Sequence, residues 1–361
     1  MTSLPHYSEF SRDLWQYLAA TDKPIVLYGM GNGADKILAV FEQYGIEAAD
    51  FYASDGFVRG QVFHGKTVLS FAQIKEKYKD FIVIVSFGTS LPDVLCKIYE
   101  TAEQYELYAP DVPVSGETLF TLDFYKEHYR EFAAAFDLLS DDTSKQMYAD
   151  IIRYKITGNI THLRPAISPK DCEKELLDFD RYETFIDAGA YNGDTARKFI
   201  ADCKHAKTIH AIEPDRKNFK KLSIYAKSET AATVFPHNFG AWNAQGVTKF
   251  SVCGNRNSAA GTQNRRKTEP VELNTIDSLG IENADYIKYD VEGAEKEALL
   301  GSRATIAASQ PDILLSLYHR SEDLYALPLL LHELFPNYKM YLRRFAYVPA
   351  WDINLYAIKR S

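Results

Sequence analysis

The stretch that decides the fold is FIDAGAYNG, Phe185–Gly193. An apolar run that stops at an acid and turns through two glycines reads as a buried parallel strand, a ligand-binding turn and the start of a helix. The missing Cβ at Gly189 permits a tight turn and close backbone approach. The helix that follows Gly193 aims its N–H groups at the same place. Asp187 stands before the first glycine, where it disfavours a pyrophosphate and pairs with an ammonium group.

A ligand carrying both an ammonium and a carboxylate fits such a turn, and S-adenosylmethionine carries both. Outward along the chain, the next strand, TIHAIEP, ends at Glu213, where α/β nucleotide sites use an acid to accept hydrogen bonds from ribose hydroxyls. The alternative is that Glu213 only caps the helix announced by Pro214 and Asp215. A third strand, TVFPH, runs into Asn238, Phe239, Gly240 and Trp242, placed to meet an adenine. DYIKYDVEG and DILLSLYHR read as further strands, and KMYLRRF and NLYAIK as an antiparallel pair at one edge.

These segments, above all IKYDVEGAEKEALLG from Ile287 to Gly301, resemble the FkbM family of S-adenosylmethionine-dependent methyltransferases over residues 184–358. The resemblance implies a class I methyltransferase fold: a doubly wound, seven-stranded, mostly parallel α/β sheet with one antiparallel strand near its edge. It puts Asp187, Gly189 and Gly193 on the cofactor loop, with Ala190, Tyr191, Asn192 and Thr195 between and beside them. Glu213 and Pro214 fall on the ribose segment, Asn238, Phe239 and Gly240 on the adenine segment, and Asp290, Glu292 and Gly293 on a D-x-E-G segment, with Asp290 also touching cofactor.

Methyl transfer from a sulfonium is an in-line displacement, so an acceptor hydroxyl needs a nearby group to take its proton. The candidates sit at the carboxyl ends of central strands: Asp290 and Glu292 after one, His319 after the next. His319 is the first choice of base, since an imidazole of ordinary pKa near 6.5 suits neutral operation. Its bland alternative is a strand-end histidine bonded to backbone, with Arg320 anchoring an anionic substrate group. Two acids and a histidine at unknown separation do not define a metal site, and none is assigned.

The first half carries a weaker version of the same signal. PIVLYG, the turn GMGNGA and the helix ADKILAVFEQYG give Gly29-x-Gly31-x-x-Ala34, with Asp55 after the next strand, and FIVIVSFG is another buried strand. A small Rossmann-like α/β domain is expected over residues 1–115, a helical connector over 116–180 and the methyltransferase domain over 181–361. Gly29 and Gly31 read as a close strand-to-helix turn in preference to a bound dinucleotide. The competing functions are an NAD(P)-binding oxidoreductase using this turn and a non-catalytic nucleotide-binding protein. Against the former, no Tyr-x-x-x-Lys follows the third strand. In the connector, Phe120, Phe124, Tyr125, Phe132, Phe136 and Leu139 recur at helical spacing and are expected in the core, and SDDTS caps a helix beginning near Ser144.

Composition sets the remaining bounds. With 361 residues, 46% hydrophobic and 25% charged, two packed cores are expected. A net charge of -8 repels polyanions, and the one basic cluster, Arg265, Arg266 and Lys267, lies in a polar loop, so nucleic acid is not an expected partner. Cys96, Cys172, Cys203 and Cys253 show no C-x-x-C spacing, which suits reduced thiols. The start, MTSLPHYSEFSRDLW, has no signal-peptide pattern, and no 18-residue apolar run occurs, so a cytoplasmic protein without a membrane partner is expected. The expected partner is a small-molecule or carbohydrate substrate, and a homo-oligomer stays open. Residues Cys253 to Lys267 are expected to form a loop that closes over it.

Overall fold

The computed structural model describes residues 2–251 and 268–359. FIDAGAYNG becomes the strand Thr184–Ala188, a glycine turn and the helix Asp194–Asp202. Four of the five strand residues are buried, as an apolar strand covered on both faces requires.

This strand lies inside a seven-stranded sheet of order Thr233–His237, Thr208–Ile212, Thr184–Ala188, Tyr286–Tyr289, Asp312–Ser316, Ile353–Ile358 and Lys339–Arg344. Ile353–Ile358 runs antiparallel to both neighbours, and the other pairs are parallel. The expected doubly wound sheet, with one reversed strand near its edge, is therefore present. The chain first builds outward from Thr184–Ala188 to one side and then returns to Tyr286–Tyr289 on the other. That reversal opens a crevice at the carboxyl ends of the two central strands. Their register pairs Lys288 with Asp187, so the two side chains leave the sheet on one face.

A second sheet, in the first half, has five parallel strands in the order Leu69–Ser70, Asp50–Ala53, Ile25–Tyr28, Ile82–Val85 and Glu106–Tyr108. Its first helix, Asn32–Tyr44, ends where Gly45 takes a left-handed conformation. Gly29 and Gly33 have packing reasons for lacking a side chain: a Cβ on Gly29 would lie 2.7 Å from the Phe87 ring, and one on Gly33 2.2 Å from the Ser86 carbonyl oxygen. Asp55 is exposed at the start of a short 3-10 turn.

Between the sheets, helices Leu122–Glu127, Tyr129–Asp137 and Asp142–Thr157 join one apolar core that includes Val83, Phe120, Tyr125, Phe132, Ile151, Ile287 and Leu315. Phe136 and Leu139 are buried in it too, and Phe124 packs at its edge. The last helix begins at Asp142, two residues before the expected start, because Asp141 is the residue that caps it, accepting from Ser144 N. The halves interlock near the crevice. Thr89 and Val348 exchange backbone hydrogen bonds of 2.8 and 3.0 Å, and Ser115 N donates to His319 O at 2.8 Å. A small sheet of Gly240–Ala241, Thr268–Asn274 and Gly246–Ser251 flanks the crevice. The expected closing loop, Cys253 to Lys267, lies outside the described residues, as do Arg265 and Arg266. Among the described residues, no helix is long and apolar enough to cross a membrane.

Candidate active site

The crevice is a cleft of about 370 Å³. One wall is the glycine turn, with Gly189, Tyr191, Asp194 and Thr195. Gly189 has φ +90, and a Cβ there would lie 1.9 Å from the Asp290 carbonyl oxygen, so only glycine lets the two central strand ends approach this closely. Asp187, directly before the turn, is fully buried. Burial pushes its carboxyl up to about 6, with Lys288 pulling the other way. Lys288 Nζ stands 3.4 Å from Asp187 Oδ1, while Asp187 Oδ2 has no partner. Asp187 itself is not among the residues that line the cleft; its unpartnered oxygen lies buried behind the glycine turn.

Glu213 lines the cleft across from the turn. Its two carboxyl oxygens accept from Tyr191 N and Asp215 N, each at 2.8 Å. Burial pushes the group up to about 8 despite those two hydrogen bonds. The acid thus ties the glycine turn to the start of the helix Arg216–Ser228 and still faces the cleft with lone pairs to spare. The helix cap itself is Asp215, which accepts from Lys217 N and Asn218 N.

Of the other residues singled out from sequence, Pro214 and Gly240 line the cleft. Asn238 and Phe239 do not. Asn238 donates to Glu213 O and Pro214 O, holding that bend, and Phe239 is buried in the core, leaving Trp242 as the aromatic of this segment on the lining. Ala190 is core, Asn192 accepts from Arg197 through its backbone oxygen, and Gly193 packs against Tyr225.

Asp290 and Glu292 form the floor. Asp290 Oδ1 accepts from Tyr318 OH at 3.0 Å, and Lys288 Nζ lies 3.5 Å from Oδ2. Burial would raise this carboxyl, but Lys288 and then His319 outweigh it and hold it low. Glu292 takes a left-handed backbone, φ +56, and burial pushes its carboxyl up to about 7 against the pull of His319. The two acids are thereby driven apart, one firmly ionised and one poised near neutrality.

His319 does not line the cleft and is fully buried beneath these acids. Its Nδ1 is 2.9 Å from Glu295 Oε1, an ion-pair distance without hydrogen-bond alignment. Its Nε2 is 3.6 Å from both Asp290 Oδ1 and Glu292 Oε2. Burial alone would lower its pKa, but Glu295, Glu292 and Asp290 reverse that and raise it to about 10. The expected neutral imidazole base is thus replaced by a ring that keeps its proton through the neutral range, because three carboxylates surround it. Arg320 donates from Nε to Gly293 O and lines the cleft.

Sequence reasoning passed over Lys288, Tyr347, Trp351 and Asp352, and read Glu295 only as an acid in the first turn of a helix. Lys288 left a signal, a lone charge inside the apolar strand YIKY, which a buried strand tolerates only with a partner. Tyr347, Trp351 and Asp352 come from the hairpin before the last strand and close the far wall, a placement that only the sheet topology determines.

With this geometry in view, comparison with known proteins places the second half. Residues 187–349 match the family profile of the methyltransferase FkbM domain. A crystal structure of methyltransferase FkbM from Methylobacillus flagellatus KT superposes with a TM-score of 0.71 at 20% identity, covering 99% of this chain and 94% of that one. Two further similar structures are Aeropyrum pernix fibrillarin with bound S-adenosyl-L-methionine (TM-score 0.34, 12% identity, 50% of this chain, 69% of that one) and precorrin-6y C5,15-methyltransferase from Geobacter metallireducens (TM-score 0.33, 11% identity, 55% of this chain, 92% of that one). No curated protein matches. The profile match is confined to residues 187–349, and the crystal structure at 20% identity shows a shared fold.

Proposed function

We propose that this chain transfers a methyl group from S-adenosylmethionine to a hydroxyl of a small or carbohydrate acceptor. The observation that carries the reading is Asp187: fully buried, one oxygen unpartnered, directly before a glycine turn that lines the cleft. The donor's ammonium pairs with Asp187, its ribose diol donates to Glu213, and Trp242 offers a ring beside the adenine.

Transfer forms the acceptor O–C bond as the methyl C–S bond breaks, and the hydroxyl proton passes to a carboxylate. Glu292 is the acceptor of that proton, since it lines the cleft and His319 is walled off below it. Positioning does most of the remaining work, as in any in-line displacement. A carbohydrate acceptor is supported by Trp351 and Tyr347, whose rings lie 5.3 Å apart on the far wall, with the Trp351 indole N–H lacking a partner.

Calorimetry with S-adenosylhomocysteine tests the donor site, and label transfer from methyl-tritiated donor into candidate glycans tests the reaction. A folded chain with no affinity for S-adenosylhomocysteine rules the proposal out.

A further inference from the structure

Lys288 and Arg320 are the two cations among the described residues that line the cleft, and their surroundings differ. Lys288 is taken up by Asp187 and Asp290, at 3.4 and 3.5 Å. Arg320 meets one carboxylate within ion-pair distance among the described residues, Glu322, whose Oε1 stands 4.0 Å from Nη1, beyond hydrogen-bond reach and on the half-open rim. Its Nε donates to Gly293 O at 2.8 Å. That bond sets the plane of the guanidinium, while the N–H groups of Nη1 and Nη2 have no acceptor among the described residues.

The room for this side chain is built from both halves of the molecule. Gly293 has φ +96, and a Cβ there would stand 2.6 Å from Ser115 Oγ and 3.3 Å from Arg320 Nε; Gly116 has φ +81, and a Cβ there would stand 3.1 Å from Nη1. Residues 113–118, which supply Ser115 and Gly116, are pinned along their length. Lys36 Nζ donates to Pro113 O and Val114 O at 2.8 and 3.0 Å, Ser115 N to His319 O at 2.8 Å, and Ser321 Oγ to Thr118 O at 2.7 Å. Val114 and Ser115 line the cleft here. A guanidinium held between fixed segments takes a carboxylate or phosphate with little further ordering, and its fork matches two oxygens of either.

We infer that Arg320, with the Ser115 hydroxyl beside it, holds an anionic group of the acceptor, a carboxylate or a phosphate, so that the acceptor is an acidic or phosphorylated carbohydrate. The carbohydrate part rests on the acceptor reading proposed above; anion binding at Arg320 needs no methyl donor. The acids of the cleft leave this subsite open. Asp194 stands on the glycine turn and Glu213 across from it, where the proposed donor brings a sulfonium and an ammonium against one carboxylate. Asp290 is matched by Lys288, Asp352 accepts from Asn354 Nδ2 at 2.9 Å on the far wall, and burial pushes Glu292 up to about 7, so its charge is partial near neutrality. A neutral sugar leaves the fork to water, which makes Arg320 the residue that selects among acceptors.

The test is calorimetry on the full chain at fixed ionic strength, with S-adenosylhomocysteine present throughout and D-glucuronate, D-glucose 6-phosphate and D-glucose as probes. At least one of the two anionic sugars is expected to bind about 10-fold or more tightly than glucose, and which of them does so separates carboxylate from phosphate. Arg320→Gln should cut that affinity by about 10–100-fold, Arg320→Lys should recover part of it by keeping the charge without the fork, and Ser115→Ala should weaken it by about 3–10-fold. Circular dichroism melting checks that each variant is folded; should Arg320→Gln not fold, Arg320→Lys and Ser115→Ala decide. No preference for either anion over glucose, or a preference that the folded variants leave unchanged, overturns the inference. Anion preference without any affinity for S-adenosylhomocysteine instead counts against the methyl-transfer reading alone.

Discussion

Asp187→Asn isolates the charge on which the proposed donor site turns, since the amide keeps the size and shape of the acid. In the free chain the buried carboxyl rises from 3.8 to about 6. At 1.36 kcal/mol per pH unit, that is roughly 3 kcal/mol of ionisation left uncompensated by Lys288. A ligand ammonium against the unpartnered Oδ2 returns an energy of that order, and the asparagine forfeits it. The expected loss in affinity for S-adenosylhomocysteine is therefore about 100-fold, measured by calorimetry at pH 7.5.

A second ligand makes the reasoning refutable. 5′-Methylthioadenosine keeps the nucleoside and sulfur but lacks the amino-acid end, so its affinity should change less than about threefold by the same pairing argument. The pH profile adds a sign. An acid whose carboxyl sits near 6 is ionised above that pH, so ammonium pairing is present above it and fades below, and wild-type affinity for S-adenosylhomocysteine should fall as pH drops from 7 to 5. In Asp187→Asn that fall should vanish. Equal losses for both ligands, or a loss under threefold for S-adenosylhomocysteine, would refute the ammonium assignment.

Glu213→Ala removes the acceptor for Tyr191 N and Asp215 N and the predicted ribose contact, so both ligands should weaken alike, by about 10–100-fold in calorimetry. Gly189→Ala forces a Cβ to within 1.9 Å of the Asp290 carbonyl oxygen at φ +90; about 2–4 kcal/mol of destabilisation is expected, read as a Tm lower by roughly 5–10 °C. Lys288→Met strips the cation from Asp187 and Asp290, and urea denaturation should show a loss of about 3 kcal/mol. Adding Asp187→Asn to it should cost less than the two single losses together, because one partner of the broken pair is then already neutral.

Much of this protein was legible from the sequence because the evidence is local. An acid, two glycines and a helix start lie within Phe185–Gly193, and apolar runs such as DILLS read as covered strands, so the alternation of strands and helices and the position of the glycine turn followed from residue order, while the doubly wound seven-stranded sheet was what the family resemblance implied. The reversed strand near the edge was readable in the mixed pattern of the last two segments. His319 was misjudged because its environment is assembled from Asp290, Glu292 and Glu295 on a different strand end and helix, and a pKa belongs to the surroundings rather than to the residue.

The sequence by itself determined which backbone could form the turn after Asp187: only glycine tolerates φ +90 against a neighbouring carbonyl, and that constraint is written in the residue. Tertiary structure alone decided what each charge does. In-register pairing of two strands put Lys288 beside Asp187. The close packing of strand ends buried His319 under three acids and brought Trp351 and Asp352 to the far wall, since long-range packing sets both dielectric and distance.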